Sequence, residues 1–407
     1  MSDGEIKIQV TANTLDFSAL HQRMQWYVDE GILPCVNTLV MNGLEVLDYR
    51  CFGTMDQESK IPLREDAIFR MFSNTKLITS VAMMTLYEQG KFRLDDALQD
   101  YIPIFSNLRV LVDGATSIDQ VEEIASPVTI RQLLCHSAGF SYGFVDPESV
   151  IDTAYLSNGL NILQGFNGDL ETMMTKMAEF PLAFQPGTSW RYSLATDVVA
   201  RLIEVLSGQR FDHFLDENIL HPLGMVDSGF FVDKNKLARL VTMYAPRDLL
   251  DPMAGGLTQL GAPGKGPTKG PQWLSGGGGL LSTVSDYLTF MRMLISGGEW
   301  QGVRILKQET LNMMRTNQLA DGVKVNFPMW DMPGTVFGLG FALKCHIGGD
   351  EPAASLNEYH WGGLAGTHSW MSPEGTSGLC MTQLMPGFWH PYSHDFKRLA
   401  YEITGLG

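Results

Sequence analysis

Strand-type patterning is confined to the two ends of this 407-residue chain, with a helical middle between them. Near the N-terminus two apolar runs, residues 35–41 and 44–52, are joined by Asn42-Gly43. That dipeptide suits the left-handed backbone of a tight hairpin. Strand-like runs return only at residues 336–345, 357–361, 367–371 and 378–384. From about residue 107 to 270 apolar residues recur mostly at helical spacing, and the Gly/Pro-rich stretch 261–271 must be loop. Distant short strands bury their apolar faces best by sharing one antiparallel sheet. The pattern therefore predicts an α+β fold. One lobe, residues 1–106 and 266–407, holds an antiparallel sheet flanked by helices; residues 107–265 form a mainly helical lobe. Helices are expected after Asp16, with Leu20, Met24, Tyr27 and Val28 on one face, over residues 75–88, ending at Gly90, and over 395–403. A cleft between two such lobes is a common place for a small-molecule site.

Charge narrows the partners. Net charge is −16, from 45 acidic and 29 basic residues, which disfavours nucleic acid or an anionic membrane surface. No apolar run approaches the roughly 18 residues that a span requires. The N-terminus, MSDGEIKIQV, has neither the basic nor the apolar region of a secretory signal. The five cysteines, Cys35, Cys51, Cys135, Cys345 and Cys380, are scattered, odd in number and free of any CxxC. This predicts no disulfide framework and no zinc knuckle, and a cytoplasmic address. No metal or cofactor is expected. His390 and His394 are four apart, but Pro391 interrupts a helix between them. Gly264-Lys265-Gly266 and Lys269-Gly270 lack the order of a phosphate loop.

Three segments carry chemistry. Ser73-Asn74-Thr75-Lys76 opens a helix, and a three-residue spacing puts serine and lysine on one face. The helix N-terminus stabilises negative charge there, and a lysine of depressed pKa can accept the serine proton. Taken alone, such a tetrad is more often a capping serine before an exposed lysine. Tyr192 follows the turn signal Gln185-Pro186-Gly187-Thr188 and precedes a helical run from Ala195. Beside Lys76 its phenol is expected to acidify and to shuttle protons. Taken alone, it is more often structural. Trp361-Gly362-Gly363-Leu364 lies on a strand-like run, where two glycines permit close approach of backbone or ligand. A backbone N–H of Leu364 could pair with that of Ser73 as an oxyanion hole; a simple bulge is the alternative. Gly139-Phe140-Ser141-Tyr142-Gly143 matches the G-x-S-x-G pentapeptide, but a helix-like run precedes it where an elbow needs a strand. Ser141 is not expected to be a nucleophile. The glycines 276–279 are expected to permit tight packing near the site rather than to bind phosphate.

The three segments, in this order and spacing, resemble serine β-lactamases and penicillin-binding proteins. They are more similar to the β-lactamase-like carboxylesterases of family VIII and to related acyltransferases of statin side chains. There, as here, a tyrosine motif follows about a hundred residues after the tetrad and Trp-Gly-Gly replaces Lys-Thr-Gly. Leu133-Leu134-Cys135-His136-Ser137-Ala138-Gly139, His221-Pro222-Leu223-Gly224-Met225 and SGGGGLLST from Ser275 are also similar, and the likeness runs from about residue 20 to 400. It implies a β-lactamase/transpeptidase-like fold and a serine carboxylesterase acting through an acyl-enzyme. Ser73, Lys76 and Tyr192 would be catalytic, with no cofactor and a small-molecule ester as partner. Which of Lys76 and Tyr192 is the base stays open.

Two departures bear on substrate. Leu194 stands where penicillin-processing relatives carry asparagine, and Trp361 where they carry lysine. Both changes remove polar anchors and leave a more apolar site. His360, Trp361, Gly362, Gly363 and Leu194 are the expected substrate-binding residues. Acyl transfer to an alcohol or amine, β-lactam or D-peptide hydrolysis, and a non-catalytic binding role are the alternatives. The missing anchors predict turnover of p-nitrophenyl butyrate with little or none of penicillins. A nitrocefin kcat/KM equal to that for the butyrate ester would reverse this reading.

Overall fold

The computed structural model describes residues 8–405, apart from 161, 162, 164, 262–265, 329–331, 349–350, 373–374 and 388–389. Gly264 and Lys265 thus lie outside the described residues. The N-terminal hairpin consists of β1 (Cys35–Asn42) and β2 (Glu45–Asp56), followed by the short β3 (Ile61–Pro62). The C-terminal part contributes β4 (Thr335–Phe337), β5 (Ala342–Lys344), β6 (Tyr359–Gly363), β7 (Thr367–Met371) and β8 (Thr376–Met381). Together they form one eight-stranded sheet in the order β4-β5-β6-β7-β8-β1-β2-β3. The two chain ends meet where β1 pairs antiparallel with β8, Asn37 opposite Met381 and Asn42 opposite Thr376. This is the shared sheet that the strand distribution predicts.

One expected run resolves differently. Residues 336–345 are not one strand but the hairpin β4–β5, turning through Gly338-Leu339-Gly340-Phe341. Leu339 and Phe341 are buried, so the turn carries no polar punctuation and reads as strand. The helix expected after Asp16 is α1 (Ser18–Asp29), and Asp16 Oδ1 accepts the Ser18 N–H at 2.9 Å.

Helices cover both faces. On the outer face lie α1 and the C-terminal helix (Tyr392–Ile403), joined by Tyr27 and Arg23 to Asp395 at 2.7 and 2.6 Å. On the inner face α2 (Thr75–Glu88) packs against α3 (Ala195–Ser207), with α4 (Val284–Ile295) beside β7 and β8. We label the C-terminal helix α5. Every α2 side chain from Thr75 to Leu86 is buried, as expected of a helix running through a core. One apolar cluster extends from the inner face of the sheet into the helices of the middle segment, so the lobes share a core.

The chain returns to the sheet before residue 265. The Val241 N–H bonds Ile68 O at 3.0 Å, and Tyr244 bridges to Leu384 and packs in the outer cluster with Tyr27. The strand Met243–Pro246 pairs locally with Leu257–Leu260, but the bridge from Tyr244 to Leu384 joins distant parts of the chain and leaves no local signal of this return. Among the described residues no helix is long and apolar enough to cross a membrane.

Asn74 clamps the start of α2 to the sheet. Its Nδ2 donates to Thr367 O and Oγ1 at 3.0 and 3.1 Å, while its Oδ1 accepts from Ser369 at 3.0 Å and Tyr287 at 3.3 Å. All four residues are buried. Asn74→Ala should therefore lower stability by about 1–3 kcal/mol, the cost of stranding buried partners. Urea denaturation with an unchanged m-value would check this.

Candidate active site

Ser73 sits in the tight turn Phe72–Asn74 that leads into α2. Phe72 has φ 46°, a left-handed conformation unusual for a non-glycine residue and frequent at functional sites. The next helical turn carries Lys76, which is 2% exposed. Its Nζ lies 3.3 Å from Ser73 Oγ and donates to Tyr142 Oη and to Gly277 O, both at 2.6 Å. The rings of Tyr192 and Tyr142 flank the nitrogen, with centroids at 4.7 and 5.0 Å. Burial pushes this amine down from the ordinary lysine value of 10.5 to about 7, and the buried carboxylate of Asp197 opposes the fall. Asp197 is itself pushed up by burial, against Lys76, the Ser275 hydroxyl and the Gly277 N–H.

Tyr192 lies on the other side of Ser73. Its oxygen accepts from Trp361 Nε1 at 3.1 Å, and it lines the same cavity as Ser73. Its acidity differs from the sequence expectation. Burial raises the phenol well above its usual value, outweighing Ser73 and Trp361. The phenol is neutral at physiological pH, and the group poised to lose or gain a proton there is Lys76.

The glycines let backbone come this close. A Cβ on Gly363 would lie 2.4 Å from Met71 O and 2.3 Å from Thr367 Oγ1, so only glycine lets β6 reach the serine turn. One on Gly277 would lie 2.5 Å from Asp197 Oδ2 and 2.8 Å from Tyr142 Oη. The cavity at Ser73 is small, about 40 Å³, and is lined by Tyr192, Trp361, Gly362, Gly363 and Leu364 together with Phe144, Phe327 and His368.

The structure brings together Ser73, Lys76, Tyr192, Trp361, Gly362, Gly363 and Leu364. It does not bring Leu194 or His360 to this cavity. Leu194 is fully buried at the start of α3, its N–H bonded to Ser141 O at 3.0 Å. His360 alternates with Trp361 on β6 and points to the opposite face of the sheet, where it lines another cavity. Ser141 is a buried structural hydroxyl. It donates to Asp152 and accepts from Arg191 Nε at 2.7 Å, and Arg191 also pairs with Asp152 at 2.8 Å.

Besides the cavity-lining Phe144, Phe327 and His368, two residues next to Lys76 escaped the sequence reading. Tyr142 lay inside the pentapeptide that drew attention to its neighbour Ser141, and nothing in its spacing ties it to Lys76. Asp197 had a usable signal. Leu194 and Ala200, three residues to either side, put an acid on the buried face of a helix.

A reactive-looking serine beside a buried lysine and tyrosine, set at the mouth of a helix under an antiparallel sheet, defines a serine acyl-transfer enzyme by class. The chain belongs to the beta-lactamase family, whose model matches residues 20–387. An uncharacterized protein of Mycobacterium tuberculosis is 34% identical over 86% of this chain and 82% of its own length. Esterase EstB of Burkholderia gladioli is 29% identical, with 88% and 89% covered. Among solved structures, EstCE1, a hydrolase with promiscuous acyltransferase activity, superposes with a TM-score of 0.75 at 24% identity over 94% of this chain and 97% of its own.

The glycine run offers a paired test of the site's geometry. A Cβ on Gly278 would meet nothing closer than 3.8 Å. Gly277→Ala should lower kcat by about 10²-fold, the scale of a misplaced catalytic group, while Gly278→Ala stays close to wild type. Ester turnover by the two variants, with a thermal melt of each, checks this.

Proposed function

We propose that the chain is a carboxylesterase that hydrolyses short-to-medium acyl esters through an acyl-enzyme on Ser73. The observation that carries this reading is an amine whose pKa burial lowers to about 7, set 3.3 Å from a serine hydroxyl. Lys76 takes the Ser73 proton as Oγ attacks the ester carbonyl. The backbone N–H groups of Ser73 and Leu364, which flank the same cavity, receive the oxyanion. Trp361 donates to the Tyr192 oxygen, which leaves the phenolic proton free to point at the reacting centre. Tyr192 passes a proton to the departing alcohol and recovers it through Lys76. Water then releases the acid by the same route in reverse.

The small aromatic cavity and the tryptophan in place of a cationic anchor favour neutral esters with short acyl groups over β-lactams. The Burkholderia gladioli relative is an esterase, which supports the ester reading. An alcohol replacing water would make the same acyl-enzyme an acyltransferase, as the promiscuity of EstCE1 illustrates. All five cysteines are unpaired, which supports a cytoplasmic address.

A serine-reactive phosphonate should add once, at Ser73, by mass spectrometry, and an adduct on Ser141 would refute the assignment. Ser73→Ala should abolish turnover, whereas Ser141→Ala should lower the melting temperature and spare kcat. Tyr192→Phe should cost about 10²-fold in kcat, the usual scale of acid–base catalysis. Lys76→Met should cost as much, and the double variant little more, because the two act as one unit. The pH profile of kcat/KM follows from the sign of the lysine shift. Protonated Lys76 cannot act as base, so the rate should fall about tenfold per pH unit below about 7 and level off above it.

A further inference from the structure

A larger cavity, about 500 Å³, opens on the outer face of the sheet behind the strand that carries Trp361 and its glycines. Its floor is Lys344 on β5, His360 on β6, and His368 and Trp370 on β7; α5 forms a wall with His394 and Lys397. The fixed charges are already paired. Lys344, only 3% exposed, is held by Glu351 and by Pro333 O, both at 2.6 Å. Lys397 is held by the buried carboxylate of Glu358. On α5, Asp395 pairs with Arg23 at 2.6 Å and lies 3.5 Å from Arg398, which also pairs with Glu402.

His360 is what remains. Neither it nor His394 makes a hydrogen bond to a described residue, and both line the cavity. Burial comes first, then Lys397, Lys344 and the two neighbouring imidazoles, in holding His360 well below the usual histidine range. Its ring is a neutral donor and acceptor between two ammonium groups, with no protein partner among the described residues.

We infer that this cavity binds a small organic carboxylate with a flat or short aliphatic body. A carboxylate entering beside His360 offsets the push of the two lysines, so the imidazole takes up one proton and donates a charge-assisted hydrogen bond. His394 supplies a second donor, and the Trp370 ring offers an apolar wall for the body. A cation meets Lys344, Lys397 and Arg398. A dianion such as phosphate meets Glu351 and Asp395 and demands a second proton. A neutral ligand gives the imidazole no negative partner for a second ring proton.

The cavity shares Trp361 and His368 with the lining of the Ser73 cavity but contains none of Ser73, Lys76 and Tyr192, so its test does not depend on the esterase reading. Sodium benzoate is titrated calorimetrically into the whole protein at pH 7, in buffers of different ionisation enthalpy, before and after phosphonate treatment. Mass spectrometry records the adduct independently. Saturable binding that survives labelling, with net proton uptake, is expected. Affinity should then fall by up to about tenfold per pH unit as the pH rises. His360→Phe should weaken binding by about tenfold or more, and His394→Gln by about threefold, with circular dichroism checking that each is folded. Binding lost on labelling of Ser73, binding without proton uptake, or no saturation by about 10 mM, beyond the millimolar range of a specific site, would each overturn the inference.

Discussion

Lys76 is an amine held inside the core, and much of the molecule is arranged around that fact. An isolated ammonium buried this deeply would cost several kcal/mol. Here Asp197, Gly277 O and Tyr142 offset the cost, each delivered by a different part of the chain. Asp197 comes from α3, Tyr142 from a loop of the helical lobe, and Gly277 from the stretch that leads back to the sheet. Satisfying one side chain thus draws the two lobes onto α2. The same burial that must be offset lowers the lysine's pKa to the value a general base needs near neutrality. Packing and catalysis have one physical origin in this site.

The opposite wall of the site depends on how the sheet closes. Because β1 from the start of the chain pairs with β8 from its end, β6 and β7 are held over the N-terminus of α2. Asn74 fixes the distance by bonding Thr367 and Ser369, and Gly363 removes the side chain that would keep the strand away. Trp361 then reaches across to Tyr192.

Ser73 and Ser141 show how little a short motif says without its surroundings. Both lie in patterns associated with catalytic serines. Ser141 is fully buried between Arg191 and Asp152, donating to the carboxylate and accepting from the guanidinium. Ser73 faces a cavity and an amine that titrates at about pH 7. The difference lies in solvent access and in the charge state of the neighbour, neither of which a pentapeptide encodes.

The sequence by itself determined the sheet shared between the chain ends and the helix over residues 75–88, while the grouping of Ser73, Lys76, Tyr192 and Trp361 in one site was implied by the family resemblance. Periodicity, turn residues and motif spacing are local, so they could be read along the chain. The tertiary structure decided what local pattern does not hold. It turned an apolar run into the hairpin β4–β5, returned the chain to the sheet near residue 241, and sent His360 to the other face of β6. It brought Tyr142 and Asp197 to Lys76 from 66 residues and more than a hundred away. It also settled the acidity of the pair, raising Tyr192 and lowering Lys76. Burial does this, and burial is a property of everything packed around a group rather than of the residues next to it in sequence.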